Sequence, residues 1–352
     1  MILVYIFILM FLCFYVSIIE EYLPKQYFRY FVWGVILLMF IISGTRPGSY
    51  VSDYAVYEKT FYTYDAIQNQ VAVEPTFLWA CELFYKMGGT IRWVIWLYAF
   101  ISIPLKIYSL SKMVTPEIFL LAIPIYLGNF FQLHDCEQMR VAAALSLCMY
   151  CYLLKLENKK WLIIPFWLIA ISFHHTAAAI IVPLLIAPNK PMGMKWRIGL
   201  VVFIMVGIAF WALKVNPITT IPIPYFEAKM ALYELAISNG EHPDILVIHP
   251  IVLLRLITFG YTLYFYDTIY ERLKCFNLVL VFEAIGLFCW FGLSVTSVFA
   301  VRMSELFEIT EIIMFASVIY TVKPVWLGKL YPCLYALYLF IYGCRVNQFG
   351  FL

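Results

Sequence analysis

The chain has 352 residues, of which 13% are charged and 64% hydrophobic, where a soluble domain carries about 25% charged residues. So many apolar side chains and so few charges exceed what an interior of this size can absorb, which excludes soluble enzymes and requires lipid around part of the outside. The formal net charge of +3 is spread along the chain, with no block of like charges to form a polyanion-binding tail, and nucleic acid is excluded as a partner.

Taken in chain order, residues 1–19 are apolar but lack a basic start and a small-residue cleavage site before Glu20 and Glu21, so they read as a retained first span and not a signal peptide. Further segments of spanning length lie near residues 28–43, 91–111, 117–133, 138–154, 198–214, 248–267, 276–298, 305–322 and 328–344. The expected fold is an all-α polytopic integral membrane protein of about 10 full spans with additional re-entrant and broken segments. Residues 1–352 read as a single transmembrane domain, with outer loops at 44–90 and 215–247. The nine cysteines, including the Cys148/Cys151 pair, lie mostly within apolar runs and form no disulfide framework.

Two segments depart from the simple pattern. Residues 76–88 would reach only about 20 Å as a helix, short of a hydrocarbon core of roughly 30 Å, and read as re-entrant or interfacial. Residues 161–187 are long enough to cross, but His174-His175 interrupts them and Pro183 and Pro188 break the second half. A helical hairpin broken at the His pair is expected.

With the first helix running inward and both irregular segments entering without crossing, the basic residues collect on one face. These are Lys25, Arg29, Lys106, Lys112, Lys155, Lys159, Lys160, Lys190, Lys195, Arg197, Arg272, Lys274, Lys323 and Lys329, as the positive-inside rule requires. The unusual polar residues then fall on the outer side, including the His134–Arg140 corner, His174-His175 and a corner at Arg302. Within the loop 215–247, residues 226–237 read as a short amphipathic helix lying on the membrane as a lid.

Three constellations carry candidate chemistry. A Gly/Pro-rich turn presents Arg46, followed by Asp53, Tyr54, Tyr57 and Glu74-Pro75, a set suited to an anionic headgroup and sugar hydroxyls. At a helix mouth stand His134, Asp135, Glu137, Gln138 and Arg140, followed by Val-Ala-Ala-Ala; an ionisable group there is costly without a partner, and small residues allow close helix packing. The competing reading is a structural Arg140–Glu137 pair at spacing three. The third is Phe173-His174-His175-Thr176, where one His serves the site. Arg302, with Glu305, and Arg255, with Glu283, Glu308 or Glu311 as partners, add charge in the last third. No third ligand lies at a metal spacing beside the His pair, and neither a metal nor a cofactor is expected. Guanidinium groups grip phosphates by bidentate contact and stabilise a departing diphosphate, and a carboxylate or His can take a proton from an attacking hydroxyl.

These pieces together resemble the EpsG-like branch of the Wzy-type polysaccharide polymerases. The matching residues are Arg46…Asp53-Tyr54…Tyr57, Glu74-Pro75, Asp135…Glu137-Gln138-Met139-Arg140 with its small-residue run, Phe173-His174-x-Thr176-Ala177, and Arg302-Met303-Ser304-Glu305-Leu306-Phe307. The resemblance implies a GT-C-like membrane glycosyltransferase of the bacterial inner (cytoplasmic) membrane with its site on the periplasmic or outer face. It would polymerise undecaprenyl-diphosphate-linked oligosaccharide repeats into O-antigen or exopolysaccharide, moving the growing glycan onto the non-reducing end of a new repeat. By this analogy Arg46, Arg140 and Arg302 hold the diphosphate, His174 orients or deprotonates, and Asp53 or Glu74 is the acceptor's base. Tyr54, Tyr57, Asp135, His175 and Arg255 contact substrate. The implied partners are the lipid-linked donor and acceptor, membrane lipid and a chain-length regulator protein. An O-antigen ligase shares the architecture and donor and remains an alternative. A flippase or transporter should show two related halves and charges on both faces, which the one-sided polar pattern disfavours.

Overall fold

The computed structural model describes residues 2–48, 52–67, 73–217 and 246–346, and among these residues every regular element is helical. The chain divides into two compact units. One comprises residues 1–181 together with 318–352, the other residues 182–317.

In the first unit, α1 (Ile2–Ile19) and α2 (Lys25–Thr45) are followed by the short α3 (Ser52–Tyr62), α4 (Tyr64–Ile67) and α5 (Pro75–Lys86). The long α6 (Ile91–Met113) leads to α7 (Pro116–Gly128), whose entry is set by Pro116 at the first helical turn and by the Thr115 hydroxyl accepting from the Ile118 N–H. A π-helical turn over Phe131–Glu137 then bends the chain by 64° before α8 (Met139–Leu156). α9 (Ile163–Phe173) stops at His174 and a 3-10 turn covers His175–Ile180; α10 (Ile181–Ile186), all but its first residue in the second unit, follows.

The packing is sequential and intimate. α6 lies against α2 and α8, α8 against α9, and α7 against α1. Gly44 makes the α2–α6 approach achievable: a Cβ there would lie 2.2 Å from the Trp96 ring. α1 and α2 bury one stripe and expose Val4, Ile8, Phe11, Trp33 and Leu37, the distribution of a helix whose outer side meets lipid and not water.

The second unit contains α11 (Met194–Ala212), α12 (Pro250–Tyr264), α13 (Tyr266–Arg272), α14 (Phe276–Gly292), α15 (Ser297–Glu308) and α16 (Glu311–Ser317). α11 and α14 meet through the stacked rings of Phe203 and Phe288, 4.3 Å apart, and Gly207 lets the two backbones close up, since a Cβ there would lie 3.1 Å from the Phe288 main chain. The last helix, α17 (Val325–Val346), returns to the first unit and packs on α7.

Among the described residues six helices are long and apolar enough to cross a membrane, or seven if α7 and the bent π-helical turn form one span. By length and composition this is a membrane protein. The segment read as re-entrant is the 12-residue α5, and the segment read as broken does break at His174. Elsewhere the expected spans are shorter than their apolar runs. α12 has 15 residues and α14 has 17, so the first reaches about 22 Å and the second about 25 Å. The expected span 305–322 is divided at Ile309–Thr310, and Arg302 lies inside α15 and not at a corner before it. Between 44 and 90 the described residues form α3 and α4 ahead of α5. The lid helix expected at 226–237 lies outside the described residues.

Three of the lysines assigned to an inner surface are buried. Lys106 pairs with Asp135 inside the first unit, Lys155 is 7% exposed, and the Lys329 ammonium donates to the Ser17 carbonyl near the end of α1. The last contact places a cation where unsatisfied helix carbonyls favour one.

Candidate active site

The site is built at three interruptions in the helices of the first unit. Pro75 starts α5 with its fixed φ, and Glu74 immediately before it is extended, with its carbonyl accepting from the Phe77 and Leu78 N–H groups. Its side chain does not cap its own helix. Arg140 stands in the first turn of α8, where the helix dipole is unfavourable to a cation and an anionic partner is needed. His174 is extended because α9 ends there; the break is tied by Trp167 Nε1 donating to the Ala177 carbonyl at 3.1 Å.

Glu74 joins the other two. Its Oε2 receives the Arg140 Nη1 hydrogen bond, and its Oε1 lies 2.6 Å from His174 Nδ1. The Thr76 hydroxyl donates to the Ser172 carbonyl at 2.6 Å and so fixes α5 against the end of α9. Burial alone would push the Glu74 carboxyl up. The His174 hydrogen bond and the Arg140 charge outweigh it and hold the group down at about 2.

Beneath the Arg140 guanidinium lie the rings of Tyr57 and Phe77, each with its centroid 5.4 Å away. Both rings are buried in a cluster with Phe61, Tyr98 and Met139. The Tyr57 hydroxyl donates to Asp53 Oδ2 at 3.3 Å, which connects α3 to the site. Burial raises the Tyr57 phenol, so it stays protonated as a donor, and it feels the positive charge of both Arg140 and Arg46.

Arg46 follows the end of α2 and is 1% exposed. Its Nη1 donates to the Ser43 carbonyl at 2.7 Å, while Nε and Nη2 have no hydrogen-bond partner among the described residues. Buried donors are nearly always satisfied, and a buried guanidinium whose Nε and Nη2 both stay open can take an anion. Arg92, at the start of α6, holds the turn by donating to the Gly44 and Arg46 carbonyls, and its guanidinium lies 5.9 Å from the Tyr54 ring. The sequence reading missed Arg92; its position at the start of an apolar run was the available signal.

The structure thus gathers Glu74, His174, Arg140 and Tyr57 directly, with Asp53 attached through Tyr57. Arg140 pairs with Glu74 and not with Glu137. Among the described contacts His174, and not the adjacent His175, reaches Glu74. Asp135 is 2% exposed and its carboxylate is held by Lys106, Tyr126 and Ser102, so no oxygen is left facing a substrate. In the second unit Arg302 is exposed on α15. Arg255, expected to contact substrate or a glutamate, is 1% exposed and takes the second course: Nη2 lies 3.2 Å from Glu283, Nε 2.9 Å from Glu311, and Nη1 donates to Glu308. Among the described residues no group of three or more His, Cys, Asp or Glu is arranged to hold a metal ion.

The family model described as EpsG family matches residues 29–349. The chain belongs to the EpsG family. This is a Wzy-like family of polysaccharide polymerases, and at that level the chain is a glycosyltransferase-like membrane protein of polysaccharide synthesis. No curated protein and no solved structure matches the chain. The match covers all of the constellations above, from Arg46 to Arg302, so this EpsG-family chain carries both the Glu74 centre and the exposed arginine of α15 within the family region.

Proposed function

We propose that this EpsG-family chain transfers a growing glycan from undecaprenyl diphosphate onto the non-reducing-end hydroxyl of a second lipid-linked repeat. The observation that carries this reading is the Glu74 carboxylate shared between His174 Nδ1 and Arg140. An imidazole held through Nδ1 by a buried carboxylate keeps Nε2 as the proton acceptor, and the carboxylate stabilises the imidazolium that forms. His174 Nε2 takes the proton of the acceptor hydroxyl as its oxygen bonds to the anomeric carbon, and the anomeric C–O bond to the diphosphate breaks. Glu74 orients the base; it is not the base itself, because its oxygens are engaged by His174 and Arg140.

The open N–H groups of Arg46 and the guanidinium of Arg140 receive the diphosphate, with the neutral Tyr57 under the influence of both charges. Asp53 holds Tyr57. Tyr54 and His175 line the glycan side. The shorter apolar helices α12 and α14, and the broken α15–α16 segment continued through Tyr320, complete about ten crossings in a GT-C-like bundle of the bacterial inner membrane. The site opens to the outer face, and the product is O-antigen or exopolysaccharide whose length a regulator protein sets.

The test is polymerisation by the purified protein of undecaprenyl-diphosphate-linked repeats. A glycan ladder from the wild-type chain and none from His174→Gln is expected. A ladder that persists in His174→Gln would remove the base, and transfer only to a lipid A core would make the chain a ligase.

A further inference from the structure

Lys106 lies inside α6, 1% exposed, and the proposed reaction has no use for it. Its ammonium is 2.8 Å from Asp135 Oδ2 and 2.8 Å from the Tyr126 hydroxyl. The Tyr126 and Ser102 hydroxyls donate to the same carboxylate. Ion pairs buried this deeply are often replaceable by apolar side chains with no loss of stability, so stability is a poor reason for this one. Intramembrane ionisable groups more often serve function.

The pair holds the π-helical turn Phe131–Glu137 by the side chain of Asp135. Such turns recur at functional sites because they re-aim the backbone. The main-chain carbonyl of the same Asp135 accepts the Ser43 hydroxyl at 2.6 Å and lies 3.5 Å from Arg46 Nη1. The Ser43 carbonyl accepts Nη1 at 2.7 Å. Polar contacts therefore run without a gap from Lys106, through Asp135 and Ser43, to the one edge of the Arg46 guanidinium that is tied down. The opposite edge, Nε and Nη2, is the open one.

We propose that Lys106 and Asp135 are positioning residues: the buried pair fixes the Asp135 carbonyl and Ser43 so that Arg46 keeps its open edge turned toward a diphosphate. This rests on the reading of Arg46 as a diphosphate contact. It makes Asp135 act from behind Arg46 and not on the substrate.

Inorganic pyrophosphate binding to the purified full-length chain in detergent, measured by calorimetry beside thermal unfolding, tests it. The wild-type chain binds, and Arg46→Lys weakens binding by about tenfold. The double variant Lys106→Met/Asp135→Asn, which removes both charges together, weakens it by about tenfold at an unchanged unfolding temperature. Adding Arg46→Lys to that variant costs little more, because both changes remove the same oriented contact. Ser43→Ala leaves the ion pair intact and gives a loss in the same direction, which decides the matter should the double variant fail to fold. Wild-type affinity in Ser43→Ala and in the double variant, or losses that multiply with Arg46→Lys, overturn the positioning role and leave the proposed reaction standing. A wild-type chain that does not bind pyrophosphate overturns the diphosphate reading of Arg46 as well.

Discussion

Glu74 and His174, one hundred positions apart in the chain, meet at 2.6 Å between Oε1 and Nδ1. Each sits where a helix is interrupted, and the same carboxylate holds Arg140 at the start of a third helix. Three interruptions that would separately weaken the bundle thus converge on one buried carboxylate, whose two oxygens meet His174 Nδ1 and Arg140 Nη1 while Arg140 Nε stays open among the described residues.

Glu74→Gln keeps the shape of the side chain and removes its charge. His174 then loses the acceptor that sets its tautomer, and the turnover of lipid-linked repeats should fall on the order of 10²–10⁴-fold. The ladder of products, normalised to protein in the membrane, measures it. A full-length ladder would place Glu74 outside the mechanism.

Arg140→Lys distinguishes charge from geometry. Lysine keeps the pair with Glu74 but loses the planar fork and the stacking over Tyr57 and Phe77. The variant should insert and fold, yet lose polymerisation by on the order of 10²–10³-fold. Glu137→Gln should leave the ladder unchanged, since Glu137 is not the partner of Arg140.

Protonation of Glu74 has a defined direction. The folded carboxyl is held at about 2 against an ordinary 4.5, so its ionised form stabilises the fold fully above about 4.5, and this contribution disappears as the pH falls toward about 2. The unfolding-temperature difference between the wild-type chain and Glu74→Gln should be constant above pH 5 and shrink below about 4.5. A difference that grows on acidification would contradict the pairing.

Arg255 balances Glu283, Glu308 and Glu311 in an apolar interior. Arg255→Met leaves the three carboxylates without their cation and should destabilise the chain by about 3–5 kcal/mol. The readout is unfolding temperature and yield in detergent. Normal stability with a selective loss of donor binding would instead return Arg255 to the substrate.

Composition and hydropathy alone decide that this chain is a helical membrane protein, because lipid is the only surrounding in which its apolar excess is stable. The break at His174 and the shortness of α5 were legible too, since prolines, polar pairs and length act locally. Arg46, Arg140, Glu74 and His174 stood out as ionisable groups in or beside apolar runs. Their partners did not. Adjacent spacing suggested Arg140 with Glu137 and an open Asp135, whereas the folded chain gives Arg140 to Glu74 and Asp135 to Lys106, a lysine that charge counting alone had placed at a membrane surface. Helix lengths drifted for a related reason: an apolar run marks what can be buried in lipid, and the backbone ends its helices earlier, at Phe265 and Leu293, where packing takes over. A buried charge must find its counterion wherever helix packing brings one within hydrogen-bonding reach. Sequence therefore determined which residues carry unusual electrostatic cost, and only the tertiary structure decided which of them share it.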